Sequence, residues 1–250
     1  MDFKIIQVTE SQTQLPLRRF VDMNIYGRLT MPDIDGAILG TVMAACDGDH
    51  IEIGTAHGGS AILCAYAKKM LKANGHIYTV DPLEGYKGDR TPTPPEPTYD
   101  NVWANIELHN MQDRITLMQG YHPPLPPEAR GVTFESAFID GGHDFHSVMA
   151  DWKNLKDKVK GIILFHDVSN PSFGADTVFE LACRDKDWEF LVRDGKIGGV
   201  IRKGYEYITW EMLAEKFGGW SEEDTPDSFS SSANALEKGK KDEVPKETIK

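Results

Sequence analysis

The chain is poor in cysteine, has no long apolar run and carries no excess of positive charge. Each shortage removes a class of protein. Cys46, Cys64 and Cys183 are odd in number, far apart and without CxxC spacing. That speaks against a disulfide framework or a cysteine zinc site and leaves each as a small apolar core residue. No stretch reaches the length of a bilayer span, and the opening "MDFKIIQVTESQTQ" holds no apolar run of signal-peptide length. A cytoplasmic protein with no membrane partner is therefore expected. The formal net charge of −12 argues against nucleic acid as the main partner, because a phosphate backbone calls for a basic surface.

Enough apolar material is present for a core. The 250 residues are 40% hydrophobic, with five Trp, eleven Phe and eight Tyr, which fits one large α/β domain. "FKIIQV" near the start reads as a short strand. "MPDIDGAILGTVMAAC" spaces Ile34, Ile38, Val42 and Ala45 as one helical face, with Asp33 as its cap. "HIEIG" (50–54) reads as a buried strand. "SAILCAYAKKMLKANG" (60–75) reads as a helix, with Ile62, Tyr66 and Met70 on one face, late lysines and a stop at Gly75. "HIYTVD" (76–81) and "RITLMQG" (114–120) are further strands, separated by the helix of "YDNVWANIELHNM".

"ESAFID" (135–140) and "GIILFHD" (161–167) are the fourth and fifth strands. The helix of "DFHSVMADWKNLKDKV" lies between them, with Val148, Trp152, Leu155 and Val159 on one face. A helix near 175–185 precedes "WEFLVRDGKIGGVIRKG", two strands about a tight "DGK" turn. Alternating strands and helices call for a doubly wound, mainly parallel, seven-stranded α/β sheet with a C-terminal antiparallel hairpin. Residues 1–30 form an N-terminal segment and a candidate homodimer contact, 31–220 the domain, and 221–250 a charged tail expected to be disordered. Residues 82–99 carry five prolines and no apolar period. That segment is either an acceptor-side lid, with Tyr86, Tyr99 and Trp103 nearby, or a solvated insertion.

Ligands of open parallel sheets bind outside the carboxyl ends of the strands. "GTAHGGS" stands at that edge, where Gly54 and Gly58 permit a sharp turn and close backbone approach, and the next helix offers free N–H groups to an anionic end. Glycines alone read equally as an ordinary strand-to-helix corner. Asp81 shifts the balance, since an acid about twenty residues later can accept both hydroxyls of a ribose. "GTAHGG" is not GxGxxG, so the nucleoside need not carry a diphosphate.

"IEIGTAHGGSA", with "VD" ending the next strand, resembles the S-adenosylmethionine motif of class I methyltransferases. "FIDGGHDFHSVMADWKNL" followed by "GIILFHDV" is similar to the branch containing macrocin-type sugar O-methyltransferases and, more distantly, the catechol-type enzymes; the likeness covers roughly residues 30–204. The resemblance implies that Glu52 braces the loop and the methionine amino group. It implies that Gly54, Thr55, Ala56 and Gly58 line the cofactor and that Ser60 holds its carboxylate. Asp81 would hold the ribose, and Gln119, Gly120 and Tyr121 would border the adenine, with Asp140 beside the cofactor.

Asp140 and Asp167 end adjacent strands, and two neighbouring carboxylates repel unless a cation or proton stands between them. Mg²⁺ or another divalent cation satisfies that, and the resemblance implies such an ion, gripping the acceptor hydroxyl. The plain alternative is that Asp140 opens the "DGG" turn and Asp167 caps a loop. In the catechol-type pattern an amide or acid follows the second aspartate; here that residue is Val168, and Asn170, His143, His166 or water would supply the third ligand. His143 aligns with the base position and can take the acceptor proton, or it is a helix-start histidine bonded to backbone. His166 reads as a satisfied core or supporting residue; His57 and His122 as contacts to cofactor or substrate, and His146 as neither.

The activity expected from the resemblance is methyl transfer from S-adenosylmethionine to a hydroxyl of a small acceptor, such as a sugar, polyol or natural product. A nicotinamide-dependent oxidoreductase is the competing enzyme class. It is disfavoured by the missing GxGxxG and by the lack of a Tyr-xxx-Lys pair near the fifth strand. A non-catalytic S-adenosylmethionine-binding protein is the third reading.

Overall fold

The computed structural model describes residues 33–70, 72–84, 97–170 and 172–206. The expected "FKIIQV" strand, the N-terminal dimer segment, most of the 82–99 loop and the charged tail lie outside the described residues. Among those described, thirteen segments follow in order: α1 (Asp33–Ala45), β1 (His50–Ile53), α2 (Gly59–Met70), β2 (Ile77–Asp81), α3 (Tyr99–Leu108), β3 (Ile115–Gln119), a 3₁₀ turn (Pro127–Ala129), β4 (Phe134–Ile139), α4 (Phe145–Leu155), β5 (Val159–Phe165), α5 (Ala175–Cys183), β6 (Trp188–Asp194) and β7 (Ile197–Arg202).

The strands form one sheet in the order β3-β2-β1-β4-β5-β7-β6. The first five are parallel, and β7 runs antiparallel to both β5 and β6. The reversal of order between β1 and β4 leaves a crevice at the strands' carboxyl ends. An all-parallel dinucleotide sheet of order 3-2-1-4-5-6 has no antiparallel strand between its fifth and last.

Alternation along the strands sorts the core onto two faces. Phe138, Ile162 and Leu164 pack with α1, α2 and α3 through Leu39, Met43, Ile62, Val102 and Ile106. Ala137, Ile139, Ile163 and Phe165 pack on the other face with Val148 and Trp152 of α4 and Val178 and Phe179 of α5. Trp152 meets Trp188 edge-on at 5.4 Å, which fastens the outer hairpin to α4.

Two helices are shorter than their sequence patterns suggest. α2 stops at Met70, and Lys72 (φ 54°) and Gly75 (φ 106°) turn the chain towards β2. Its apolar face is no narrow stripe, because Gly59 to Lys68 are all buried. Lys68 is accommodated by donating to Cys46 O (2.6 Å) and Asn74 O (3.4 Å). α4 ends at Leu155, so Val159 belongs to β5 rather than to the helical face. α4 begins where Asp144 accepts the N–H groups of His146 (2.9 Å) and Ser147 (3.1 Å), an ordinary side-chain cap.

Candidate active site

The loop after β1 turns too sharply for ordinary side chains. Gly54 has φ 96°, and a Cβ there would stand 2.2 Å from the carbonyl oxygen of Asp140. The β1 and β4 loops are thus in backbone contact, and only glycine fits. Ala56 follows with φ 45°. This corner is held from the side by Asp81, whose Oδ2 accepts the N–H groups of Thr55 (3.0 Å) and Ala56 (3.2 Å) while Oδ1 accepts that of Leu83 (2.9 Å).

Below the corner, Glu52 is fully buried. Thr79 donates to its Oε2 at 2.5 Å, and the Thr55 and Thr79 hydroxyls meet at 2.6 Å. Burial pushes the Glu52 carboxyl up to about 8; hydrogen bonds from Ser60 and Thr79 oppose that rise, and the charges of Asp140 and Asp81 add to it. Three acids therefore converge where the chain has least side chain.

An open cleft of about 670 Å³ lies over this corner. Gly54, Thr55, Ala56, Ser60, Asp81, Gly120, Tyr121, Asp140, His143 and Asp167 all border it. Glu52 lies beneath it. Gly58 faces Val102 of α3, which a Cβ would approach to 3.2 Å. Gln119 donates to Pro82 O (3.1 Å), and Tyr121 donates to Glu84 (3.0 Å) across the rim. Asn170 turns its side-chain oxygen to Ser172 N (3.1 Å), and Val168 is wholly buried.

At the β4–β5 end, His166 stands between carboxylates. Its Nδ1 is 3.0 Å from Asp140 Oδ1 and 3.7 Å from Asp167 Oδ1, and its Nε2 is 3.4 Å from Asp35 Oδ2. Burial opposes its protonated form, but hydrogen bonds to Asp140 and Asp35 and the charges of Asp140 and Asp167 override burial and hold it up at about 10. Asp140, His166 and Asp167 offer donor atoms all within 4.8 Å of one another, a set that fits a metal ion. Asp167 adopts φ 58°, unusual for a residue with a side chain. His143 places Nδ1 3.4 Å from Asp167 Oδ2 and stacks on Phe173 at 4.8 Å.

Several cleft residues carried no signal in the sequence. Asp35 of α1 does not line the cleft; it is fully buried, accepts the Lys196 N–H (2.9 Å) and faces His166, which does line it. Lys196 belonged to a turn motif, but its Nζ reaches within 3.4 Å of Asp167. His122 borders the cleft by its backbone side, while its ring is buried against Asp151 at 2.6 Å. His57 also borders the cleft, and its carbonyl accepts from Asn105 (2.8 Å).

Residues 51–168 match a family described as "Methyltransferase domain". Over those residues the chain is similar to a methyltransferase domain, and its sheet order, with the antiparallel C-terminal hairpin, is that of the Rossmann-like methyltransferase fold. Comparison with the sequences of curated proteins gives no match. Among solved structures it is similar to the O-methyltransferase NovP, at 18% identity and a TM-score of 0.55 over 67% of this chain and 79% of that one. It is also similar to an O-methyltransferase from Bacillus cereus solved in complex with SAH, at 19% identity and a TM-score of 0.52 over 79% and 94%. The calicheamicin methyltransferase CalS11 follows at 14% identity and a TM-score of 0.54 over 78% and 92%. At these identities the likeness is one of fold.

Proposed function

We propose that the protein transfers a methyl group from S-adenosylmethionine to a hydroxyl of a small acceptor, a sugar, polyol or natural product. The observation that carries this reading is the convergence of Glu52, Asp81 and Asp140 on a corner of bare backbone. The charges of Asp81 and Asp140 raise Glu52 further, and a ligand bearing an ammonium and a sulfonium would relieve all three acids at once.

In this reading Gly54, Thr55, Ala56 and Gly58 shape the floor, Ser60 meets the cofactor carboxylate, and Glu52 acts from below on the amino group. Asp81 has three backbone donors already, which leaves part of its acceptor capacity for ribose hydroxyls. Gln119, Gly120 and Tyr121 border the adenine, with Asp140 on the opposite wall. O-methyltransferases among the structural neighbours favour oxygen as the accepting atom.

His143 is the proton acceptor. Asp167 beside Nδ1 favours the tautomer with hydrogen there, so Nε2 receives the acceptor's proton. The acceptor oxygen attacks the methyl carbon in line, the carbon–sulfur bond breaks, and its electron pair stays on sulfur. A divalent ion held by Asp140 and Asp167, when bound, would lower the hydroxyl pKa. Asn170, already engaged by Ser172 N–H, is the weaker choice as third ligand. A cytoplasmic location belongs to the same proposal and is supported by three free thiols.

Calorimetry with S-adenosylmethionine and with NAD tests the cofactor, and release of labelled methyl product from a panel of hydroxylated acceptors tests the reaction. Binding of NAD in place of S-adenosylmethionine would overturn it.

A further inference from the structure

We propose that the acceptor is a hydroxy acid, held by a salt bridge between its carboxylate and the ammonium of Lys196 while its hydroxyl faces His143. The inference rests on the methyltransferase reading for the group transferred, and on the cleft itself for the carboxylate position.

Lys196 sits in the short turn between β6 and β7, where a lysine is ordinarily a solvated residue. Here its backbone is held from two sides. Its N–H donates to the wholly buried Asp35 at 2.9 Å, and its carbonyl accepts Val168 N–H at 3.1 Å. Burying a carboxylate is costly unless it finds partners, and Asp35 gives one of its oxygens to this turn. The root of the Lys196 side chain is thereby fixed at the cleft wall. Its Nζ stands 3.4 Å from Asp167, with the side chain about half exposed.

The donors in the cleft single out this ammonium. Among the described residues that border the cleft, Lys196 is the sole lysine or arginine. The nearby carboxylates already face donors of the protein: Asp81 takes three backbone N–H groups, Asp140 faces His166 at 3.0 Å, and Asp151 faces His122 at 2.6 Å. An ammonium has three donors, and among the described residues the one carboxylate beside Lys196 Nζ is that of Asp167. A ligand carboxylate meets the remaining donors with opposite charge and acceptor oxygens alone. A phosphate dianion would bring a second negative charge beside Asp167 with no further lysine or arginine to meet it.

Asp167 also sets the spacing. His143 Nδ1 faces its Oδ2 and Lys196 Nζ faces its Oδ1, each at 3.4 Å. Base and ammonium thus flank a single carboxyl group, so the acceptor is short. One ring, or a chain of similar length, separates its carboxylate from the reacting hydroxyl. Phe173, stacked on His143 at 4.8 Å, gives the body of such an acceptor an apolar surface.

The test uses the full chain, with and without saturating S-adenosylhomocysteine, so that no turnover occurs. Calorimetry compares glucuronate and protocatechuate with their methyl esters, and glycerol phosphate serves as the phosphate probe. At least one acid should bind about tenfold or more tightly than its ester, by a margin that shrinks as salt is raised. Lys196→Met should bring acid and ester within about twofold, and Lys196→Arg should restore the margin. Both variants should keep S-adenosylhomocysteine affinity within about threefold of the parent, because the substitution lies away from the Gly54 corner. Equal binding of each acid and its ester, a margin that survives Lys196→Met, tighter binding of glycerol phosphate than of either acid, or no binding of either acid would each overturn the proposal. The same titrations separate the two readings. S-adenosylhomocysteine bound with no acid margin removes only the carboxylate inference. A Lys196-dependent acid margin in a chain that binds no S-adenosylhomocysteine removes only the methyltransferase reading and leaves the carboxylate position standing.

Discussion

Asp81 and Thr55 lie 26 positions apart in sequence, and the carboxylate of one accepts the backbone N–H of the other at 3.0 Å. The same oxygen takes Ala56 N–H, and its neighbour takes Leu83 N–H. One acid thus sets the loop conformation and faces the cleft. Asp81→Asn keeps the size but exchanges an acceptor for a donor against these N–H groups. The expected result is a loss of about 1.5–3 kcal/mol in stability, the range for hydrogen bonds to a charged group, together with at least tenfold weaker cofactor binding. Denaturant unfolding and calorimetry on one sample measure both. Weakened binding with unchanged stability would show that the backbone clamp contributes little.

The contact of Gly54 with Asp140 gives a second prediction. An added methyl would sit 2.2 Å from a backbone oxygen in a left-handed conformation, and neither backbone can yield without moving β1 against β4. Gly54→Ala should cost on the order of 3 kcal/mol or more, read as a fall in Tm. Gly120→Ala, where a Cβ meets nothing within 4 Å, is the matched control and should leave Tm close to the parent value.

These two glycines show what the sequence could convey. The seven strands were legible because buried parallel strands read as short apolar runs between helical periods, and the hairpin was legible from its "DGK" turn. The corner at Gly54 and the acid at Asp81 follow each other at a spacing the fold imposes. Helix ends were less legible, because α2 is buried all round and its lysine Lys68 is an interior residue. Asp35 and Lys196 were out of reach for a different reason. Each lies far from β4 and β5 in sequence, and only packing of α1 and the hairpin turn brings Lys196 to the cleft and Asp35 to the buried side of His166. The spacing of Val159 from Leu155 suits a helix, whereas pairing with Phe134 of β4 places it in β5.

Glu52 gives a prediction in pH. Its pKa in the folded protein, about 8, is raised from 4.5, so its neutral form is the one the fold favours. Its contribution to stability is complete below about 4.5 and is lost as pH rises towards 8, at roughly 1.4 kcal/mol per unit. Ligand-free protein should therefore show a falling stability over that window, and Glu52→Gln should flatten it. A cationic cofactor lowers the Glu52 pKa, so binding near pH 7 should release a proton and tighten as pH rises towards 8. Calorimetry in buffers of different ionisation enthalpy counts that proton, and a zero count in the parent protein would remove Glu52 from the cofactor's reach.

His143 separates binding from chemistry. Its ring stacks on Phe173 at 4.8 Å and faces Asp167 at 3.4 Å, about one-third exposed to the cleft, so its removal leaves the Gly54 corner and Asp81 in place. With an acceptor in hand, His143→Ala should lower kcat by roughly 10²–10⁴, the span of a general base, while the Kd for S-adenosylmethionine changes less than threefold. His143→Gln preserves bulk and the polar contact to Asp167 but cannot carry the proton, so it should be as slow as the alanine variant. Because Asp167 orients His143, Asp167→Asn should depress kcat as well. If His143→Gln instead keeps near-parent kcat, the ring serves only to shape the acceptor wall with Phe173, and the proton leaves the acceptor by another route.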